Sequence, residues 1–320
     1  MSTAAVQTAR PTTTPRRGTT PGMRRAGDWA RRAPLMPALV FMVVVTQLPF
    51  VATLVISFVN WNALDPGSRS FAGVDNYRAV ATDSTLRTSV LNTVLLTVTV
   101  VVTSVVLGMV VALLLDRSFL GRGIVRTLMI APFLVVPVAA ALVWKHALFS
   151  PEYGLLNGLL NDIWRLFGAS GAPQPDWISA HPRLAVDATL IWQWTPFMML
   201  ILLAGLQSRS SEAVEASRVD GASAWQAFWH LTMPHMRQYI ELGALLGSIY
   251  IVQNFDAVFT VTAGGLGTAN LPYTVYQTFF AAHDYGRASA AGVVVVIASI
   301  AIATFALRVV SSLFKEESSR

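Results

Sequence analysis

Cysteine is absent from this 320-residue chain, and lysine occurs only at Lys145 and Lys315. The first absence excludes disulfides, thiolate metal ligands and cysteine nucleophiles. Neither lysine follows a glycine loop, and no G-x-x-x-x-G-K-[ST] run exists, so the chain does not bind ATP in the P-loop manner. Charge of either sign is scarce: 12% of residues are Asp, Glu, Lys or Arg, against about 25% in an average soluble domain. The histidines (His146, His181, His230, His235, His283) are scattered, and His230 and His235 do not share a helical face. No metal site is expected. Ser, His and Asp show no nucleophile-elbow pattern, so no catalytic residue is assigned. No repeat of 20–50 residues marks a solenoid or an inverted duplication. The formal charge of +6 is nearly all arginine. These arginines flank apolar runs, which points to membrane topology rather than to nucleic acid.

What the chain has instead is apolar length, with 54% hydrophobic residues. Charges are costly in hydrocarbon, so the gaps between them mark spans of about 20 residues. Six are expected, near 35–58, 90–115, 127–146, 188–206, 239–261 and 288–310. The fifth contains Glu241 near one end and Asp256 deeper. This is the pattern of an all-α integral membrane protein. With the N-terminus inside, segments 1–34, 116–126, 207–238 and 308–320 hold 16 of the 23 Lys and Arg residues. The positive-inside rule then places both termini in the cytoplasm. Residues 1–33 are rich in Thr, Pro and Arg and are expected to form a disordered cytoplasmic tail. Their paired arginines are not a twin-arginine signal, because the apolar run that follows is too long and lacks a cleavage site. A transmembrane domain would occupy 34–315, with a short cytoplasmic tail over 316–320.

The segments between spans divide in character. Residues 59–88 and 145–187 carry Trp61, Tyr77, Tyr153, Trp164 and Trp177, as suits a membrane interface. Within 151–183, Leu155, Leu156, Leu159, Leu160, Ile163 and Leu166 are spaced as an amphipathic helix that could lie on the membrane or pack over the bundle. Residues 262–287 hold a glycine cluster and then the run LPYTVYQTFF.

One inner loop, 211–234, is built unlike the others. Glu212 and Glu215 sit near the start of a short helix. Asp220-Gly221 is a turn signal, and Ser223-Ala-Trp-Gln226 matches a capping box that restarts a helix. Trp225, Phe228, Trp229 and Thr232 then fall on one stripe, and Pro234 is expected to end it. Small residues (Ala213, Ala216, Ser217, Gly221, Ala222) lie on one part and aromatics on the other. The pattern alone leaves two readings open, a surface on which a partner docks or a helix lying against headgroups.

Glu215-Ala216-Ser217, Asp220-Gly221-Ala222 and Met233-Pro234 resemble the EAA loop of ABC importer permeases. Ser217 replaces the usual third Ala, and Met233 the usual Leu. The run DGASAWQAFWHLTMP resembles the sugar-permease branch. So do Phe71-Ala-Gly-Val-Asp-Asn-Tyr77, Asn254-Phe-Asp256 with Thr262-Ala-Gly-Gly265, and Tyr285-Gly-Arg-Ala288; Leu266 stands where that branch usually has Pro. The resemblance covers roughly residues 35–315 and is to the MalF-like type without a large inserted outer domain.

The resemblance implies a type I importer permease bundle in the bacterial inner membrane. It would work with a second, MalG-like permease subunit, an ATP-binding-cassette ATPase dimer and an extracytoplasmic solute-binding protein, in contact with membrane lipid. ATP and Mg would be used by the ATPase, with no cofactor on this chain. The ATPase-coupling residues it implies are Glu212, Glu215, Ala216, Asp220, Gly221, Ala222, Trp225, Phe228 and Pro234. For a sugar path between helices, the candidates are Trp192, Gln193, Trp194, Gln253, Asn254 and Asp256. The competing reading for these is ordinary, interfacial tryptophans and amides that bond helix to helix. Two alternatives to a sugar importer are an ion-coupled secondary transporter, which would want more buried ionisable groups, and a permease for glycerol phosphate.

Overall fold

The computed structural model describes residues 33–65, 67, 69–168 and 172–315. The expected tails at 1–32 and 316–320 lie outside the described residues. The chain separates into two compact units, the first closing at Ala52. Among the described residues four helices are long and apolar enough to cross a membrane: Met36–Ile56, Ser84–Asp116, Pro182–Gln207 and the Tyr285–Ile302 part of Tyr285–Lys315. Two further pairs qualify if each bent pair is one span, giving up to six.

Helix Met36–Ile56 is apolar on every side and buries none of its residues, the character of a helix solvated by hydrocarbon. The second unit has its centre where Ser84–Asp116 crosses Pro182–Gln207. Met109, Ala112 and Leu115 meet Met199, Leu202 and Leu206 there, joined by Met236. In a membrane such contacts gain dispersion energy and close fit rather than release from water. Gly108 is the point of closest approach, since a Cβ there would stand 2.9 Å from both Met198 Cβ and the Met199 main-chain nitrogen. A second cluster (Val80, Leu86, Leu271, Ala290, Ala291) seats the last helix on the start of Ser84–Asp116 and on the short helices that carry Val80 and Leu271.

The third and fifth apolar runs are not straight. Arg122–Leu134 and Pro137–Leu148 meet at 98°. Pro132 and Pro137 bracket the break, where the residue before a proline is pushed out of helical geometry. The second part continues into a π-helical turn at Val143–Leu148. In the fifth run, Ala224–Val252 and Asp256–Thr262 meet at 53°. The two short distal pieces pack on each other, and Lys145 Nζ donates to the Thr260 carbonyl at 2.8 Å. Glu241 in the fifth run is paired with Arg237 at 2.7 Å, so its charge is met one turn away.

Beyond the first helix the chain forms a clasp. Val59–Asn60 pairs antiparallel with Ser70–Phe71, and Asn62 bridges to Asp284. Asn76, at 4% exposure, donates to the carbonyls of Ser57 and Val59, each at 3.0 Å. The Tyr77 hydroxyl meets Ser57 Oγ at 2.6 Å. The Asn-Tyr pair of the F-x-G-x-x-N-Y segment is therefore a pair of pegs that fix this loop. The LPYTVYQTFF run forms Leu271–Tyr276 and a π-helical turn, Gln277–Ala281.

Replacing Gly108 by valine forces the two central helices apart. Gly108→Val is expected to cost about 1–3 kcal/mol and to lower the unfolding temperature of the detergent-solubilised protein. Gly123→Ala, where nothing lies within 4 Å, should leave it unchanged or slightly higher.

Candidate functional site: the polar elbow and the aromatic cluster

The loop that stood apart in sequence folds as an elbow. Helix Ser211–Val219 stops because Gly221 adopts φ 82°, a left-handed conformation open to glycine at little cost. The Gly221 amide donates to the Arg218 carbonyl at 3.1 Å and the Ala222 amide to the Ser217 carbonyl at 2.9 Å. This paired closure, a Schellman motif, satisfies the last carbonyls of the helix. Ser223 restarts the chain with the expected capping box: Gln226 N donates to Ser223 Oγ at 3.3 Å, and Ser223 N donates to Gln226 Oε1 at 2.9 Å.

Pro234 does not end the helix that follows. Ala224–Ala227 passes through a π-helical turn, Phe228–Thr232, directly into Met233–Val252. Proline lacks an amide and its ring crowds the carbonyl four residues back. The widened turn immediately before it accommodates both defects, so the elbow runs without interruption into the fifth span.

Glu212, Glu215, Ala216 and Asp220 are exposed, and Ala222 is half-buried. A shallow groove of about 430 Å³ opens between the two short helices, lined by Ser217, Asp220, Gly221, Ala222, His230 and Leu231 among others. Beside it Trp225 (70% exposed) lies 5.6 Å from the ring of Trp229, which stands 5.4 Å from that of half-buried Phe228. Thr232, the fourth residue of the expected stripe, is buried.

Two polar joints tie the elbow to the helices on either side. Arg209 Nη1 donates to the buried Thr232 hydroxyl. His235 Nε2 reaches the Gly205 carbonyl and Ser208 Oγ, each at 3.1 Å, and Tyr239 OH meets Ser208 Oγ at 2.7 Å. A carbonyl only accepts, so Nε2 is the protonated nitrogen of His235. Pro182–Gln207 and Met233–Val252 are thereby locked together at the elbow.

Residues 104–315 match the family model described as "Binding-protein-dependent transport system inner membrane component".

The chain belongs to that family.

Among its relatives, the probable ABC transporter permease protein y4oQ of Sinorhizobium fredii is 36% identical over 83% of this chain and 85% of that protein. The trehalose transport system permease protein SugA of Mycobacterium tuberculosis is 31% identical over 84% of this chain and 86% of its own length. A chain of a bacterial alginate ABC transporter, solved with an alginate-bound periplasmic protein, superposes with a TM-score of 0.75. It covers 92% of this chain and 97% of that one at 20% identity, a likeness of fold. The protein is thus a multi-pass inner membrane component of a binding-protein-dependent transporter, an all-α permease component that is not itself catalytic.

The six residues expected along a path in this permease do not gather at one place. Gln193 is buried, and its Nε2 donates at 3.0 Å to the carbonyl of Val135, the residue at the break in the third run. Trp192 lines an apolar pocket of about 200 Å³ with Leu107, Met129, Pro132 and Pro196 among others, and meets Trp144 edge-on at 6.0 Å. Asn254 Oδ1 accepts from the Ala257 amide at 3.3 Å, just ahead of the helix that Asp256 opens. Gln253 is exposed and donates back to the Ile249 carbonyl at 3.2 Å.

Trp194 is the exception, because it joins an aromatic cluster drawn from three helices. Its ring lies 5.7 Å from Phe133, 5.6 Å from Phe197 and 5.3 Å from Tyr250, which is itself 56% exposed. Phe133, Phe197 and Tyr250 were not singled out in sequence. In apolar runs an aromatic carries no signal of its own; Phe133 stands on Arg122–Leu134, which packs along Pro182–Gln207. One turn beyond Tyr250 stand Gln253 and Asn254.

Removing the elbow's cap tests how its second helix is held. Ser223→Ala is expected to lose about 1 kcal/mol of local stability and to speed hydrogen exchange at the Gln226 amide about fivefold, read by mass spectrometry. Exchange in Ser84–Asp116 should not change.

Proposed function

We propose that this permease carries a sugar or oligosaccharide, and that its elbow receives the movement of a separate ATP-binding-cassette ATPase dimer on the cytoplasmic side. The observation that carries the reading is the elbow itself: a glycine-closed turn, an open groove and exposed aromatics, continuous with one span and hydrogen-bonded to another. Small residues let a foreign surface approach the main chain, and Trp225, Phe228 and Trp229 offer anchoring area. Glu212, Glu215, Asp220 and Pro234 complete the set that the EAA resemblance nominates. ATP and Mg would be used in the ATPase, and closure of its nucleotide sites would shift the permease between inward-facing and outward-facing states. In this reading both termini lie in the cytoplasm, and a second, MalG-like permease subunit and a solute-binding protein complete the machine.

The sugar assignment draws on the relatives, one of which is named for trehalose, and on the aromatic cluster. Sugars are held by flat aromatic faces with polar groups at their edges. Trp194 and Tyr250, with Gln253 and Asn254 beside them, supply both. Gln193 spends its amide donor on Val135, and Trp192 faces an apolar pocket, so these two support the site from behind. Asp256 heads a helix piece and is assigned to shaping it. An ion-coupled secondary transporter finds no support in the family assignment, and glycerol phosphate is not favoured by the relatives.

Two experiments test these roles in proteoliposomes containing the whole importer and its binding protein. Gly221→Pro breaks the turn and should reduce uptake by about tenfold or more while the chain still inserts and ATP is still hydrolysed; unimpaired uptake would remove the elbow from the coupling path. Trp194→Ala and Tyr250→Ala should each reduce sugar uptake about tenfold, equivalent to ~1.4 kcal/mol, with the ATPase still assembled. Trp192→Phe should have little effect. A reversed order of sensitivities would move the sugar to the other face of Pro182–Gln207.

A further inference from the structure

The helix Leu155–Leu166 is held to the bundle more firmly than a surface loop requires. Asn157, at 5% exposure, donates to the carbonyls of Pro151 and Pro175 at 3.0 and 3.2 Å. Its Oδ1 accepts from Trp177 Nε1 at 2.7 Å. Leu156 and Trp177 pack on a buried cluster that includes Val186, Leu190 and Val258. Asp176 caps the Trp177 turn, and bonds from the Ser179 hydroxyl and amide hold its carboxyl below the ordinary value.

The surface left outside this clamp is divided along the helix. On one flank Leu155, Leu159, Ile163 and Leu166 are 58%, 49%, 51% and 83% exposed. On the other flank stand Gly158, Asp162 and Arg165, also exposed. A helix facing only water would carry polar groups on both flanks, and one buried under another subunit would not leave a charged row beside the apolar one. A sharp division along the axis is the layout of a helix at a boundary between hydrocarbon and water. Chain length agrees. The helix begins seven residues after Leu148, the end of the third bent run. It is pinned through Trp177 close to Pro182, where the fourth span starts. It therefore sits at the level where spans enter the membrane, on the face opposite the elbow. Trp164, 40% exposed, and Phe167, 80% exposed, add the aromatic residues that favour headgroup depth.

We propose that Leu155–Leu166 is an interfacial anchor: its Leu155/Leu159/Ile163/Leu166 flank enters the lipid, and its Asp162/Arg165 flank faces water. The occupant of the apolar flank is phospholipid, not a protein partner. The anchor fixes the segment between the third and fourth spans at constant depth.

The natural absence of cysteine makes the test direct. Single variants Leu159→Cys, Ile163→Cys, Gly158→Cys and Asp162→Cys carry a spin label in the full chain, reconstituted with its co-purifying subunits in phosphatidylethanolamine–phosphatidylglycerol vesicles. Labels at 159 and 163 should relax with oxygen and be shielded from a water-soluble nickel chelate. Labels at 158 and 162 should show the opposite preference. Shielding of 159 and 163 from both reagents would assign the flank to a protein interface, and exposure of both to nickel would place it in water; either result overturns the proposal. Val98→Cys, on the long Ser84–Asp116 helix, reads membrane insertion independently. Nickel access there would instead undercut the membrane assignment itself.

Discussion

Hydrocarbon offers no partner to a main-chain carbonyl, so a span that leaves helical geometry must bring its own donors. This permease breaks two of its apolar runs, and side-chain donors meet carbonyls at and around the breaks. Gln193 reaches across from the fourth span to Val135 at the 98° bend. Asn270 donates to the Asn254 carbonyl beside the 53° bend, and Lys145 donates to Thr260 in the short piece beyond it. Asn92 holds the glycine-rich loop through Gly267 and Ala269, both at 2.8 Å. The bonds from Gln193, Lys145 and Asn92 run between segments distant in sequence, so satisfying the backbone also sets the tertiary arrangement.

The breaks lie close to the aromatic cluster. Phe133 stands just before the 98° bend and Tyr250 just before the 53° bend, so each break is within a turn or so of it. The cost of irregular backbone is met by amides that hydrocarbon alone could not replace. The elbow is built on a different principle, since it lies outside the apolar runs and closes its helix ends with its own main chain and with Ser223.

Much of this was legible in the sequence, and the exceptions have particular causes. Scarcity of charge identified an all-α membrane protein. The Asp220-Gly221 turn and the Ser223–Gln226 capping box could be read because each is a local pattern with one backbone solution. The continuation through Pro234 could not, because proline ordinarily ends a helix and the compensating π turn has no residue signature. Nor could the bends. Pro132 and Pro137 were visible, but prolines are tolerated within spans, as Pro196 is in Pro182–Gln207. The aromatic cluster was half seen: Trp194 stood out as one of two tryptophans, while Tyr250 and Phe133 looked like ordinary apolar content.

The passage of the helix through Pro234 has a mechanical consequence. From Ala224 to Val252 the chain is one rod, about 40 Å long at 1.5 Å per residue. Trp225 stands near one end and Tyr250 near the other. The Ser208–His235–Tyr239 joint lies near the middle of this rod, so its two arms are of similar length, and a tilt of a few degrees about it would move either tip by about 1–2 Å. Transmission of that kind needs no flexible relay, only stiffness between the fulcrum and the two tips.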